Sequence, residues 1–275
     1  MTRSSPAGEE GLLTVITMAA RGEKPMDEFA HKVALITGAG GGIGREITLA
    51  FASLGVSVAA NDINPLRLDE TVNQVLQAGG TARPYIFDVA KRMPIEGMMA
   101  QVLENFGRID ILVNHAGVQP DASLLDMDEW EFHRTLDVNL GGPFFCMQQV
   151  GRVMQQQGGG SIVNLISFAG WKQFHKGHTA HSASQVGLLG LTQAAAIELE
   201  PYHIRVNAVC FGSSMMSITP PSVLDTTQVN AWREMHSQMK LGDHPDLVSL
   251  VLYLCTPGAE SLNGQIITIN NGQQL

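Results

Sequence analysis

Short apolar runs alternate with helical periods along most of the chain. Lys32 to Thr37 is aliphatic and β-branched and runs into glycines, which predicts a buried strand. Gly44 to Leu54 then places Ile47, Ala50, Phe51 and Leu54 on one helical face. The same alternation recurs downstream. Strands are expected at Val56 to Ala60, Arg83 to Asp88, Ile109 to Asn114, Ser161 to Ile166, Ile204 to Cys210 and Gln265 to Ile269. Helices are expected at Pro65 to Ala78, Ile95 to Phe106, Ser182 to Glu200 and Leu247 to Leu254. Asp128 to Gln157 has a long helical pattern broken near Gly141-Gly142-Pro143.

Strands that alternate with helices imply a parallel sheet covered on both faces. The expected fold class is therefore α/β, a Rossmann-type doubly wound sheet of about seven strands. Its first strand enters Thr37-Gly38-Ala39-Gly40-Gly41-Gly42-Ile43-Gly44, and a helix follows at once. Glycines let backbone approach a pyrophosphate, and the helix N-terminus offers free N–H groups to it. Asp62 closes the second strand, where a carboxylate can accept both hydroxyls of an adenosine ribose and repel a 2′-phosphate. The expected cofactor is NAD, with NADP less favoured. Arg45 is the nearest base that could soften that preference.

Composition narrows the partners. The 275 residues fit one large domain, with 44% hydrophobic residues to build its core. The division expected is an N-terminal extension at 1–30 and a single domain at 31–275. The formal charge of −9 argues against nucleic acid and anionic membranes. No apolar run has the length of a membrane span. Cys146, Cys210 and Cys255 are too sparse for a disulfide framework and lack metal-ligand spacing, which points to a cytoplasmic protein without a metal site. Residues 213–240 are rich in methionine. With Trp232 they suit an irregular apolar small molecule, or they simply pack on the core or a partner subunit.

Several motifs in order resemble the short-chain dehydrogenase/reductase family in its compact form, over roughly residues 31–272. They are Thr37, Gly38, Gly42 and Gly44 in the glycine turn; Phe87-Asp88-Val89; Asn114-His115-Ala116-Gly117; Asp137-Val138-Asn139-Leu140; and Ile204-Arg205-Val206-Asn207. The resemblance implies that Gly38, Gly42, Ile43, Gly44, Asp62, Asp88, Val89, Asn114, Ala116 and Gly117 line a dinucleotide site. It also implies a substrate lid at 213–240 and a homodimer or homotetramer, the last strand often lying at a subunit contact. In such enzymes a Tyr moves the substrate proton and a Lys four residues later supports it. A Ser polarises the carbonyl, and an Asn completes the tetrad.

This chain keeps the Ser as Ser167 and the Asn as Asn139. It has His181 where the Tyr is expected and Gln185 where the Lys is expected. An imidazole can serve as acid or base without a Lys, and Gln185 can hydrogen-bond ribose hydroxyls. Imidazole is shorter than phenol, so reach is the objection. Two functions stay open. One is an oxidoreductase acting on a hydroxyl or ketone with catalytic Ser167, His181, Gln185 and Asn139. The other is a redox-silent relative, either a non-redox isomerase or cyclase or a partner of an active subunit.

Overall fold

The computed structural model describes residues 27–172, 174–212 and 244–269. The methionine-rich stretch proposed as a lid therefore lies outside the described residues, as do residues 1–26. Seven parallel strands form one sheet: β1 (Val33–Thr37), β2 (Ser57–Asn61), β3 (Thr81–Tyr85), β4 (Ile111–Asn114), β5 (Gly160–Ser167), β6 (Ile204–Phe211) and β7 (Ile266–Ile269). Their spatial order is β3-β2-β1-β4-β5-β6-β7. The chain thus winds outward one way from β1, then the other way from β4. The carboxyl ends of β1 and β4 flank the crevice where such sheets bind ligands.

Helices α1 (Gly42–Ser53), α2 (Pro65–Gln77) and α7 (His244–Leu254) cover one face. Helices α3 (Arg92–Phe106), α5 (Gly142–Gln157) and α6 (Thr179–Leu199) cover the other. Along β1 the side chains divide by the two-residue period of a strand. Ala34 and Ile36 join the first core, while Leu35 joins the second. Both faces are buried, which explains why the strand reads as one apolar run. Phe29, ahead of the expected domain start, is fully buried and packs edge-on against Phe51.

Two elements differ from their expected positions. The third strand occupies Thr81–Tyr85, earlier than Arg83 to Asp88. Its ladder with β2 ends where Tyr85 pairs with Asn61, and the Asn61 amide then takes the carbonyls of Tyr85 and Phe87. The break in the long helical pattern comes earlier as well. After α4 (Glu129–Leu136) the backbone widens to a π-helical turn over Asp137–Gly141, and Gly142 N–H bonds Asp137 O. Pro143 explains the change, because it has no N–H to give to the carbonyl four residues back.

Candidate active site

The glycine turn is built to leave backbone open. Gly41 caps α1 with no side-chain hydrogen bond, and no acidic residue stands in the first turn. The first N–H groups of α1 therefore have no side-chain partner there, as an anion site requires. Gly38 has φ of 70° and runs against the exit of β4. A Cβ on it would lie 2.9 Å from Ala116 N. Gly44 has still less room, since its Cβ would overlap the Gly38 carbonyl and the His115 ring. A Cβ on Gly41 would meet nothing within 4 Å. The turn is thus tight beneath and open above, a cradle that fits a pyrophosphate. Ile43 contributes only backbone to it, because its side chain is in the core.

Thr37 joins the two sides of the crevice. Its hydroxyl accepts from His115 N at 3.0 Å and Ala116 N at 3.1 Å. Asp62 stands at the end of β2 and accepts from Gly40 N through one oxygen and from Asn64 N through the other, each at 2.9 Å. Each carboxylate oxygen retains a lone pair for a ribose hydroxyl. Arg45 turns away from that task. It pairs with Glu70 and bonds Gly40 O, Arg67 O and the Thr71 hydroxyl.

Other expected cofactor residues are placed less directly. Burial opposes ionisation of Asp88, but its hydrogen bonds from Arg134 and Ala90 N outweigh that, so its carboxyl sits below its usual range. Val89 is buried against Gly142. The Asn114 side chain reaches across the sheet to Asn164 Oδ1 at 2.8 Å, not outward into the crevice. Ala116 touches Gly38, and Gly117 lies beside the Asn139 amide.

The catalytic candidates meet at the end of β5. This strand continues past its last pairing with β4 at Asn164 and ends at Ser167, opposite Phe211. His181 and Gln185, one turn apart on α6, share a face. Gln185 Oε1 accepts from Ser167 N at 2.7 Å. Gly170, in the 3-10 turn after β5, packs so closely that a Cβ there would strike Gln185 and crowd His181.

Asn139, from the π-helical turn, grips Val118 by both backbone groups. Its Oδ1 accepts from Val118 N, and its Nδ2 donates to Val118 O, each at 2.8 Å. Nδ2 also donates to Ser184 Oγ at 3.1 Å and lies 3.3 Å from His181 Nδ1. His181 Nδ1 is 3.3 Å from Val118 O as well. Burial drives the His181 pKa down to about 4, against the opposing hydrogen bond to Val118 O and with help from nearby His178. Two polar atoms in this group are buried with no hydrogen-bond partner among the described residues: Ser167 Oγ and His181 Nε2.

The profile of the family described as enoyl-(acyl carrier protein) reductase matches residues 38–274. The chain is also 36% identical over 248 residues to an uncharacterized oxidoreductase of Thermotoga maritima, covering 89% of this chain and 98% of that protein. It is 35% identical over 249 residues to a 3-oxoacyl-[acyl-carrier-protein] reductase of the same organism, covering 88% and 97%. The chain belongs to the short-chain dehydrogenase/reductase family. Among solved structures of that family, NAD+-bound xylitol dehydrogenase superposes with a TM-score of 0.80 at 31% identity, covering 90% of this chain and all of the other.

The family's fold thus accounts for the expected sheet, and these three relatives are oxidoreductases. Sequence reasoning did not single out Val118, Ser184, Gly170 or Gln119, whereas the loop at 171–178, rich in titratable groups and ending in His178, was legible as a second possible source of an acid or base. Gln119 Nε2 lies 2.9 Å from His178 Nδ1, and the His178 and His181 rings stand 6.4 Å apart. The His178 pKa is lowered by burial, with Asp121 opposing. Val118 acts through its backbone and leaves no mark in the sequence. No described helix is long and apolar enough to cross a membrane.

Proposed function

We propose that this protein is an NAD-dependent oxidoreductase acting on a hydroxyl or ketone of a small apolar substrate, with His181 as acid or base and Ser167 as the polarising hydroxyl. The observation that carries this reading is the pair of buried atoms without partners among the described residues, Ser167 Oγ and His181 Nε2. Such atoms are costly unless a ligand completes them. One substrate oxygen would satisfy both. Gly38 to Gly44 would hold the pyrophosphate, and Asp62 would hold the adenosine ribose. The bound dinucleotide supplies hydride exchange; the chain supplies orientation and the proton. Gln185 would still offer its amide hydrogens to the nicotinamide ribose, and Asn139 would act indirectly, by holding the Val118 carbonyl that His181 Nδ1 meets.

One observation favours the redox-silent reading. Gln185 is uncharged and its carbonyl is already taken by Ser167 N, so the position has no cation to support proton transfer. Exposed Trp130, Phe144, Val186 and Ile197 on α4, α5 and α6 support a homodimer, a homotetramer or pairing with an active subunit. The test is direct. NADH binding is measured by calorimetry, and turnover is followed by nicotinamide absorbance with paired alcohols and ketones. Turnover by wild type, lost in His181→Ala with binding retained, is expected. Tight binding without turnover in either direction would select the redox-silent reading.

A further inference from the structure

The hydrogen bonds around His181 settle which ring nitrogen carries its proton. The Asn139 amide is oriented without ambiguity, because its oxygen must face Val118 N–H. Its Nδ2 then has two protons and three neighbours. The two shorter contacts, to Val118 O and Ser184 Oγ, take them. Ser184 Oγ can accept, since its own proton goes to His181 O at 2.6 Å. No proton remains for His181 Nδ1, which must therefore supply its own. Val118 O, with two lone pairs, accepts it alongside the Asn139 bond. Nδ1 is protonated, and Nε2 keeps a bare lone pair.

We infer that the resting site is a proton acceptor: it receives a substrate as an alcohol, whose O–H donates to His181 Nε2 while its oxygen accepts from Ser167 Oγ. This rests on the oxidoreductase reading above and gives it a substrate class and a direction. A ketone oxygen has only lone pairs to offer and would face the lone pair on Nε2. In the forward step the alcohol gives its O–H proton to Nε2. Its C–H hydrogen leaves with both electrons for the oxidised dinucleotide, and the C–O bond becomes a carbonyl. The imidazolium then gives up its proton readily, because burial disfavours the charge. Among the described residues, the titratable group bearing on His181 is His178, with Asp121 behind it. The π-helical turn and the 3-10 turn present Asn139 and Gly170, both uncharged.

The deciding experiment is the imidazole nitrogen spectrum of the 15N-histidine-labelled full chain with NAD+ present. His181→Asn assigns the resonance, since its amide keeps a donor where Nδ1 stood. A neutral ring with its proton on Nδ1 at pH 7, unchanged to about pH 5, is expected. A proton on Nε2, or a charged ring at pH 7, overturns the inference. Initial rates with cyclohexanol and 2-octanol plus NAD+, and with their ketones plus NADH, give a second readout. Between pH 6 and 8 the alcohol side should hold steady, while ketone reduction should fall about tenfold per pH unit. Ketone reduction independent of pH over that range also overturns it. If bound dinucleotide gives no turnover either way, the oxidoreductase reading fails, and the nitrogen spectrum still decides the tautomer.

Discussion

Ser167, at the end of β5, is tied through its N–H to Gln185, one turn beyond His181 on α6, and both Ser167 Oγ and His181 Nε2 are buried without a hydrogen-bond partner among the described residues. Ser167→Ala should therefore leave thermal stability unchanged or raise it by up to about 1 kcal/mol, because it removes an unsatisfied group. Turnover should fall by about a hundredfold, as when one donor to a reacting oxygen is lost. Melting temperature and kcat measured on the same preparation check both halves.

Two glycines in the same turn should respond in opposite ways. Gly44→Ala places a methyl into the Gly38 carbonyl, so the turn must open and the variant should lose more than about 2 kcal/mol or fail to fold. Gly41→Ala meets open space on extended backbone, with φ of −172°, and should melt like wild type. If the pyrophosphate lies above Gly41, the same methyl should weaken NADH binding at least about tenfold. Calorimetry beside thermal denaturation separates the effects.

Asp62 has two tasks, holding the turn and choosing the dinucleotide. Asp62→Ala strips acceptors from Gly40 N and Asn64 N and should cost about 2 kcal/mol. Asp62→Asn keeps an acceptor but removes the charge. Its preference for NADH over NADPH should shrink about tenfold, read from the ratio of dissociation constants.

Stability should fall with acid in a window set by His181. Its folded pKa of about 4 lies below the ordinary 6.5, so the unfolded chain takes up a proton first. The contribution is complete above pH 6.5 and is lost as pH drops toward 4, amounting to about 3 kcal/mol. His181→Gln, which cannot titrate, should show a flatter fall in melting temperature across that window.

The sheet was legible because β1, β4, β5 and β6 are buried on both faces and read as continuous apolar runs between turn residues. The glycine turn was legible for a similar reason, since tight backbone leaves a mark in residue type. Asn139 and His181 could be picked out, but their working partners could not. Val118 contributes only its peptide groups, which any residue possesses. Gly170 shows its constraint only once the loop has folded over α6. The π-helical turn that aims Asn139 arises from Pro143, four residues on, combined with a contact 21 positions upstream. Pattern along the chain cannot register a pairing of that kind.

Gln185 accepting from Ser167 N limits what can replace that side chain. A lysine in its place has donors only, so the buried Ser167 N–H would be stranded. Gln185→Lys should therefore destabilise the end of β5 whatever stands at position 181. The amide fastens the strand end to the middle of α6, so the chemistry at position 185 and the shape of the end of β5 cannot be altered separately.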